Sequence, residues 1–167
     1  MRSEEMTRAH QMTRAHLGAW GELLVQQQLL TFGIDSARMT TDSGIDLLAY
    51  DAVSKKAFSV QVKTRSPRSG GARYSWGVYE TKCDAADLFA FSIKNRPDDV
   101  WYMTPQDLER FSTRRKNLRI LRFSVKPGRS RIPVIDHFGH FRGQAGLMRF
   151  IEQLRTKNSR ARAAGGN

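Results

Sequence analysis

Apolar positions along this chain switch between two periods. At 17, 20, 24 and at 23, 30 they follow helical spacing, which predicts a helix over residues 17–30 with Gly33 as its C-terminal stop. Gly44-Ile45-Asp46-Leu47-Leu48 and Val60-Gln61-Val62-Lys63-Thr64 are instead short, apolar and rich in β-branched residues, as strands are. The polar run Asp51-Ala52-Val53-Ser54-Lys55-Lys56 between them reads as a hairpin turn. Further on, Leu118, Ile120, Leu121, Phe123 and Val125 alternate with polar and basic positions and predict a strand. Residues 146–155 have the pattern of a short amphipathic helix.

The hairpin carries the first candidate chemistry. If its turn centres between Val53 and Ser54, Asp46 falls directly opposite Gln61. Side chains alternate along a strand, so Lys63 shares their face. A carboxylate, an amide oxygen and an ammonium then converge on an otherwise apolar hairpin. Such a trio can hold a divalent cation and orient a water molecule, as phosphodiester hydrolysis requires. The bland alternative is a cross-strand ion pair on a solvated face. Against it, Ile45 and Leu47 flank the aspartate and Val62 flanks the lysine, and charged groups in apolar surroundings are costly to bury. Upstream, Glu22 shares a helical stripe with Val25 and Leu29 at the border of the buried face. It fits either a third functional acid or an exposed first-turn acid favoured by the helix dipole.

These residues resemble a family. Gly21-Glu22 opening a helix, Gly44-Ile45-Asp46-Leu47 and Val60-Gln61-Val62-Lys63-Thr64 look like the PD-(D/E)XK nuclease superfamily, in the variant with glutamine at the second acid. Two branches share that variant, the Mrr-like restriction endonucleases and a small-endonuclease family that includes group I intron-encoded homing enzymes. Asp87-Leu88-Phe89-Ala90-Phe91-Ser92-Ile93 and Asp99-Val100-Trp101-Tyr102-Met103-Thr104-Pro105 are similar to the two later strands of the small endonucleases, so the likeness runs over residues 17–108. It implies an α/β fold with a mixed, mainly antiparallel sheet of four or five strands flanked by helices, restriction-endonuclease-like, with one helix beside the sheet near residues 104–111.

The resemblance also implies roles. Asp46 becomes the central metal ligand, Glu22 a direct or outer one, Gln61 an amide-oxygen ligand and the Val62 carbonyl a further ligand, with Lys63 acting on the attacking water. Magnesium, with manganese as its substitute, suits this set, because it takes hard oxygen ligands and keeps several waters. Two departures stand out. Gln61 removes one negative charge, which leaves open a non-catalytic nucleic-acid-binding module that retains the nuclease fold. Ser43-Gly44-Ile45 replaces the family proline before Asp46, and Asp42 is a lesser competitor in what reads as a loop.

Composition narrows the partner. The 167 residues suit one domain, and the formal net charge of +12 is unevenly spread. Residues 1–109 carry 13 basic and 14 acidic side chains, residues 110–167 carry 15 and 2. Such a polycationic half neutralises phosphates, and DNA is the expected partner; charge alone does not separate it from RNA. The expected contacts are Arg65, Arg68 and Arg73 in and beside the basic 66–73 loop, and Arg114, Arg115, Lys116 and Arg119. Tyr74, Trp76 and Tyr79 fit base stacking or, more simply, a core or sheet surface. His137 and His140 lack the neighbours a zinc site needs.

The expected organisation is a polar extension over 1–16, the nuclease core over 17–110, a basic remainder of the same domain over 111–155 and a disordered basic tail over 156–167. Residues 6–10 of the extension repeat at 12–16, too short a duplication to build a repeat fold. A single cysteine, Cys83, a polar N-terminus without a leader pattern and no membrane-length apolar run lead one to expect a soluble cytoplasmic protein. A homodimer or higher homo-oligomer is expected, since two strands cut by one site each suit twofold symmetry.

Overall fold

The computed structural model describes residues 12–40, 44–66, 73–94, 96–124 and 135–164. Helix α1 spans Arg14–Thr31 and starts earlier than the apolar spacing suggests, because Thr13 and His16 form a reciprocal capping box. Its other end is a Schellman motif. The Ile34 amide donates to Leu29 O and the Gly33 amide to Leu30 O, with Gly33 at φ +71° as the expected stop. Leu29 and Ile34, brought together by that motif, are both in the core.

Strands β1 (Asp35–Arg38), β2 (Leu47–Asp51), β3 (Lys56–Arg65), β5 (Leu88–Ile93) and β6 (Arg96–Met103) form a five-stranded sheet in the order β1-β2-β3-β5-β6. Its pairs are antiparallel except β3 with β5, giving the mixed, mainly antiparallel sheet expected. β5, Leu-Phe-Ala-Phe-Ser-Ile, is buried at every position, as an apolar run covered on both faces must be. A second sheet was not anticipated: β4 (Arg73–Tyr79), β8 (Leu118–Ser124) and β7 (Thr113–Arg115) pair antiparallel in the order β4-β8-β7. Two further helices complete the fold, α2 (Pro105–Phe111), capped by Thr104 with Asp107, and α3 (Gly143–Ala164). α3 continues well past Arg155, so helix stands through Ala164 where a disordered tail was expected.

The large sheet separates two cores. On one face Leu47, Ala49, Val60, Val62, Leu88 and Ala90 pack with Leu24, Val25 and Leu29 of α1 and Leu147, Phe150 and Ile151 of α3. On the other, Phe89, Phe91, Trp101 and Met103 pack with Tyr74, Trp76, Leu121 and Phe123 of the small sheet. Trp76 lies edge-on to Phe91 and Phe123, with ring centroids 5.7 and 5.3 Å away. Tyr74 and Trp76 are therefore core residues, and Tyr79 alone of that aromatic set is exposed. The small sheet covers only the β5–β6 side. Over β2, Leu48 and Tyr50 on the same face remain 47% and 43% exposed.

Polar clamps hold the layers together. Arg155 of α3 forks onto the buried Asp51 carboxylate, with Nε and Nη2 3.0 and 2.8 Å from its oxygens. That hydrogen bond holds the Asp51 carboxyl well below the usual carboxylate range. Arg149 makes the same kind of pair with Asp107 on α2, and Arg96 and Arg142 both reach the buried Asp99. Among the described residues no helix is long and apolar enough to cross a membrane.

Candidate active site

The β2–β3 register is the one a turn centred between Val53 and Ser54 requires: Leu47 lies opposite Val60 and Asp51 opposite Lys56. Extended one step, the same pairing sets Asp46 across from Gln61. The Asp46 amide donates to Val60 O at 3.0 Å and its carbonyl accepts from Met39 N at 2.9 Å, so its backbone belongs to both neighbouring strands. Because Val60 and Val62 face the helices, alternation turns Gln61 and Lys63 to the opposite face. Asp46 joins them there, with one carboxylate oxygen, Oδ2, accepting from the Val62 amide at 2.6 Å. That bond pins the carboxylate against the β3 backbone beside Gln61.

Gln61 is the most telling member. It is 2% exposed, and its buried Oε1 has no hydrogen-bond partner among the described residues. An unmatched buried acceptor costs about 1–3 kcal/mol. Above it Gly44 has φ +83°, and a Cβ there would lie 3.7 Å from Gln61 Nε2 and 3.3 Å from Lys82 Cδ. Lys82, in the 3-10 turn Glu80–Lys82 that follows β4, thus packs against Gly44. Sequence reasoning missed Lys82, and nothing near it in the chain signals the contact.

Glu22 reaches the same end of the sheet from the helix layer. Gly21 makes this possible: a Cβ there would sit 1.8 Å from Thr64 Oγ1, so α1 can lie against β3 only with glycine at that position. The Glu22 carboxylate is bound through Oε2 by Arg38 of β1, at 2.8 Å from Nε and 2.6 Å from Nη2. Arg38 is a second residue that sequence reasoning missed. Asp46, Gln61 and Lys63 therefore share one face, and Glu22 stands at its edge already paired. Among the described residues no three His, Cys, Asp or Glu side chains converge as a metal-binding group. A cation here would rest on the Asp46 carboxylate and the Gln61 oxygen, with waters and substrate phosphate completing its shell. The hard-oxygen donors and the unmatched Gln61 Oε1 fit magnesium or manganese in that mode.

The expected phosphate contacts divide. Arg65 and Arg73 line a cleft of about 130 Å³ with Ser66, Tyr74 and Ser75, at the end of the strand that carries Lys63. Arg65 Nε also donates to Ser75 O at 3.0 Å, tying β3 to β4. Arg115 and Lys116 are exposed at the β7–β8 turn, where Lys116 adopts φ +55°. Arg119 is placed otherwise than expected. It turns towards Glu80 and Glu109, 3.5 and 3.2 Å away, and is 22% exposed, while Arg114 also reaches Glu80 at 2.8 Å. A cleft of about 200 Å³ beside it, lined by Glu80, Asp84 and Glu109, would repel phosphate. Arg68 and Asp42 lie outside the described residues.

No protein-family model and no curated protein sequence matches the chain. Among solved structures, the fold is similar to that of a bacterial homing endonuclease, I-Ssp6803I, with a TM-score of 0.65 and 13% identity over 93% of this chain and all of that one. Hjc, a Holliday junction resolvase from Archaeoglobus fulgidus, matches more loosely, with a TM-score of 0.47 and 12% identity over 62% of this chain and 82% of its own. At the level of fold, the resemblance carried by Gly21-Glu22, Asp46 and Gln61-Val62-Lys63 is borne out.

Proposed function

We propose that this chain is a metal-dependent DNA endonuclease that hydrolyses phosphodiester bonds with an activated water. The observation that carries the reading is the unmatched, buried Gln61 oxygen on the face shared by Asp46 and Lys63. The fold shared with a homing endonuclease supports it. Magnesium or manganese, when bound, lowers the pKa of a coordinated water and offsets charge on the phosphate.

The chain's own residues do the rest. Asp46 and the Gln61 oxygen would hold the cation, and Val62 fixes the orientation of Asp46 through its amide. Lys63, on the same face one pleat along from Gln61, places a positive charge where negative charge grows on the phosphate in the transition state. Arg65 and Arg73 receive the adjoining phosphates in their cleft and set the register of the backbone over Lys63. Glu22 acts through water at the edge, with Arg38 fixing its carboxylate. Function as a homodimer accounts for both strands being cut.

A non-catalytic DNA-binding module is the second reading, favoured by Gln61, which offers no negative charge where a second carboxylate would strengthen a cation site. A nicking assay on supercoiled plasmid and on branched DNA separates them, with magnesium, manganese or neither, for wild type, Asp46→Ala and Lys63→Ala. Metal-dependent nicking that drops at least about a hundredfold in both variants is expected. Wild type that binds DNA yet cuts neither substrate in either metal would sink the nuclease in favour of the module.

A further inference from the structure

From the small sheet's outer face we infer that the β4–β8 ribbon, with β7 beside its far end, lies in the DNA major groove and reads base sequence through Arg115 and Arg122. The inference rests on the chain's acting on DNA and adds the surface that selects the site.

The pairing register assigns the faces. Trp76 pairs with Leu121 and Tyr74 with Phe123, and these four side chains are buried against the large sheet. Alternation therefore turns Arg73, Ser75, Tyr79, Thr113, Arg115 and Arg122 to the outside. All of these are exposed except Arg122, which is partly so and donates from Nη1 to Thr113 Oγ1 at 3.1 Å. Arg114 and Arg119, on the other parity, are the ones neutralised by Glu80 and Glu109. Among the described residues the two sides of one short sheet thus differ in charge: three arginines and no acid outside, and ion pairs inside.

Dimensions and chemistry favour one occupant. Paired strands lie about 4.8 Å apart, so a two-stranded ribbon enters a major groove about 12 Å wide. From Arg73 to Tyr79 the ribbon runs about 20 Å, and about six base pairs of DNA pass along that length. Arginine forks onto the O6 and N7 of guanine, and Ser75 and Thr113 bond to either kind of base edge. The A-form major groove is too deep and narrow for a ribbon, so the same surface favours DNA over duplex RNA, a choice net charge leaves open. Arg73 lines the cleft with Arg65 and joins this surface to the strand bearing Lys63.

Arg115→Lys and Arg122→Lys keep the charge and remove the fork, which makes them the decisive variants. Wild type, Lys63→Ala and the two lysine variants would each be used to select from a random-sequence DNA duplex pool in magnesium-free buffer. A fixed RNA duplex serves as competitor, and melting temperatures confirm folding. Wild type and Lys63→Ala should enrich the same base pairs. Each lysine variant should bind the unselected pool within about twofold of wild type yet lose on the order of tenfold preference at one or two base pairs. Unchanged enrichment by both lysine variants, no enrichment by wild type, or equal competition by RNA would each overturn the inference. Wild type that enriches a site but nicks no DNA would refute the nuclease alone. Lys63-dependent nicking without sequence enrichment would refute only the reading surface.

Discussion

Gly21→Ala is the substitution whose sign is most diagnostic. In an exposed helix interior alanine is better than glycine by about 1 kcal/mol. At Gly21 the added methyl would lie 1.8 Å from Thr64 Oγ1, 3.0 Å from Thr64 Cβ and 3.2 Å from Ser92 Oγ. Rotating Thr64 cannot relieve all of this, because its Cβ stays and the 2.9 Å bond from Ser92 Oγ is lost. Alternatively α1 retreats by more than an ångström and loosens Leu24, Val25 and Leu29 in the core. Overpacking costs about 1–3 kcal/mol and the lost hydrogen bond about 1 kcal/mol. Set against the propensity gain, the net is a destabilisation of about 1–3 kcal/mol. At about 2–4 °C per kcal/mol for a chain of this size, the melting temperature should fall by roughly 2–12 °C.

Gly18 supplies the control within the same helix. A Cβ there meets nothing closer than Glu22 Oε1 at 4.0 Å, so Gly18→Ala should raise the melting temperature by about 2 °C. Thermal melts of both variants, and of Gly21→Ala combined with Thr64→Ala, check the argument. The double variant should recover part of the loss, since only the Oγ1 clash is removed. If Gly21→Ala melts above wild type, as Gly18→Ala should, the close approach of α1 to β3 is refuted. The role of Gly21 in placing Glu22 goes with it.

Two further outcomes follow from the ionisable groups. The Asp51 carboxyl titrates below its unfolded value, so it stabilises the fold above about pH 4 and loses that effect as pH falls towards the lower folded value. Arg155→Ala should cost on the order of 2 kcal/mol at neutral pH in urea unfolding, discounted because Arg155 is partly exposed. The gap from wild type should narrow below pH 4, and a constant gap would contradict the pairing. Gln61→Glu places a second carboxyl in a buried position, so the metal-free protein should melt lower while manganese raises its melting temperature more than that of wild type. An equal manganese shift in both proteins would remove Gln61 from the cation site.

What was legible in the sequence is what local chemistry decides. The polar 51–56 turn fixes the hairpin register, and with it the pairing of Asp46 with Gln61 and the face of Lys63. Gly33 stops α1 because a left-handed backbone is needed there. The small sheet was not legible. Tyr74 and Trp76 alternate equally well for base stacking and for core, and only the paired strand β8, more than 40 residues on, decides between them. Arg119 shows the same limit. Its charge made it a DNA contact, but its parity in β8 turns it to Glu80 and Glu109, residues the linear pattern does not connect. Arg38 escaped notice because its partner Glu22 lies on another element. Past Arg155 no apolar stripe marks a helix, although the alanines and arginines there have good helical propensity.

The crossover between β3 and β5 bears on the choice between nuclease and binding module. Parallel neighbours require a long connection, and here that connection contains β4 and the Glu80–Lys82 turn. One part of it supplies Arg73 and an edge tied to Arg65; the other brings Lys82 and Ala85 against Gly44, which adjoins Gln61. A chain that only bound DNA would use the first part, and nothing in binding calls for the second. A buried glutamine beside Gly44, its oxygen unmatched among the described residues, would then be a cost without a return, removable by leucine or methionine of similar size. A cation held against that oxygen turns the same burial into a ligand position already ordered before substrate arrives. On the proposed reading, the stability lost to the unpaired oxygen is local strain kept for ligation.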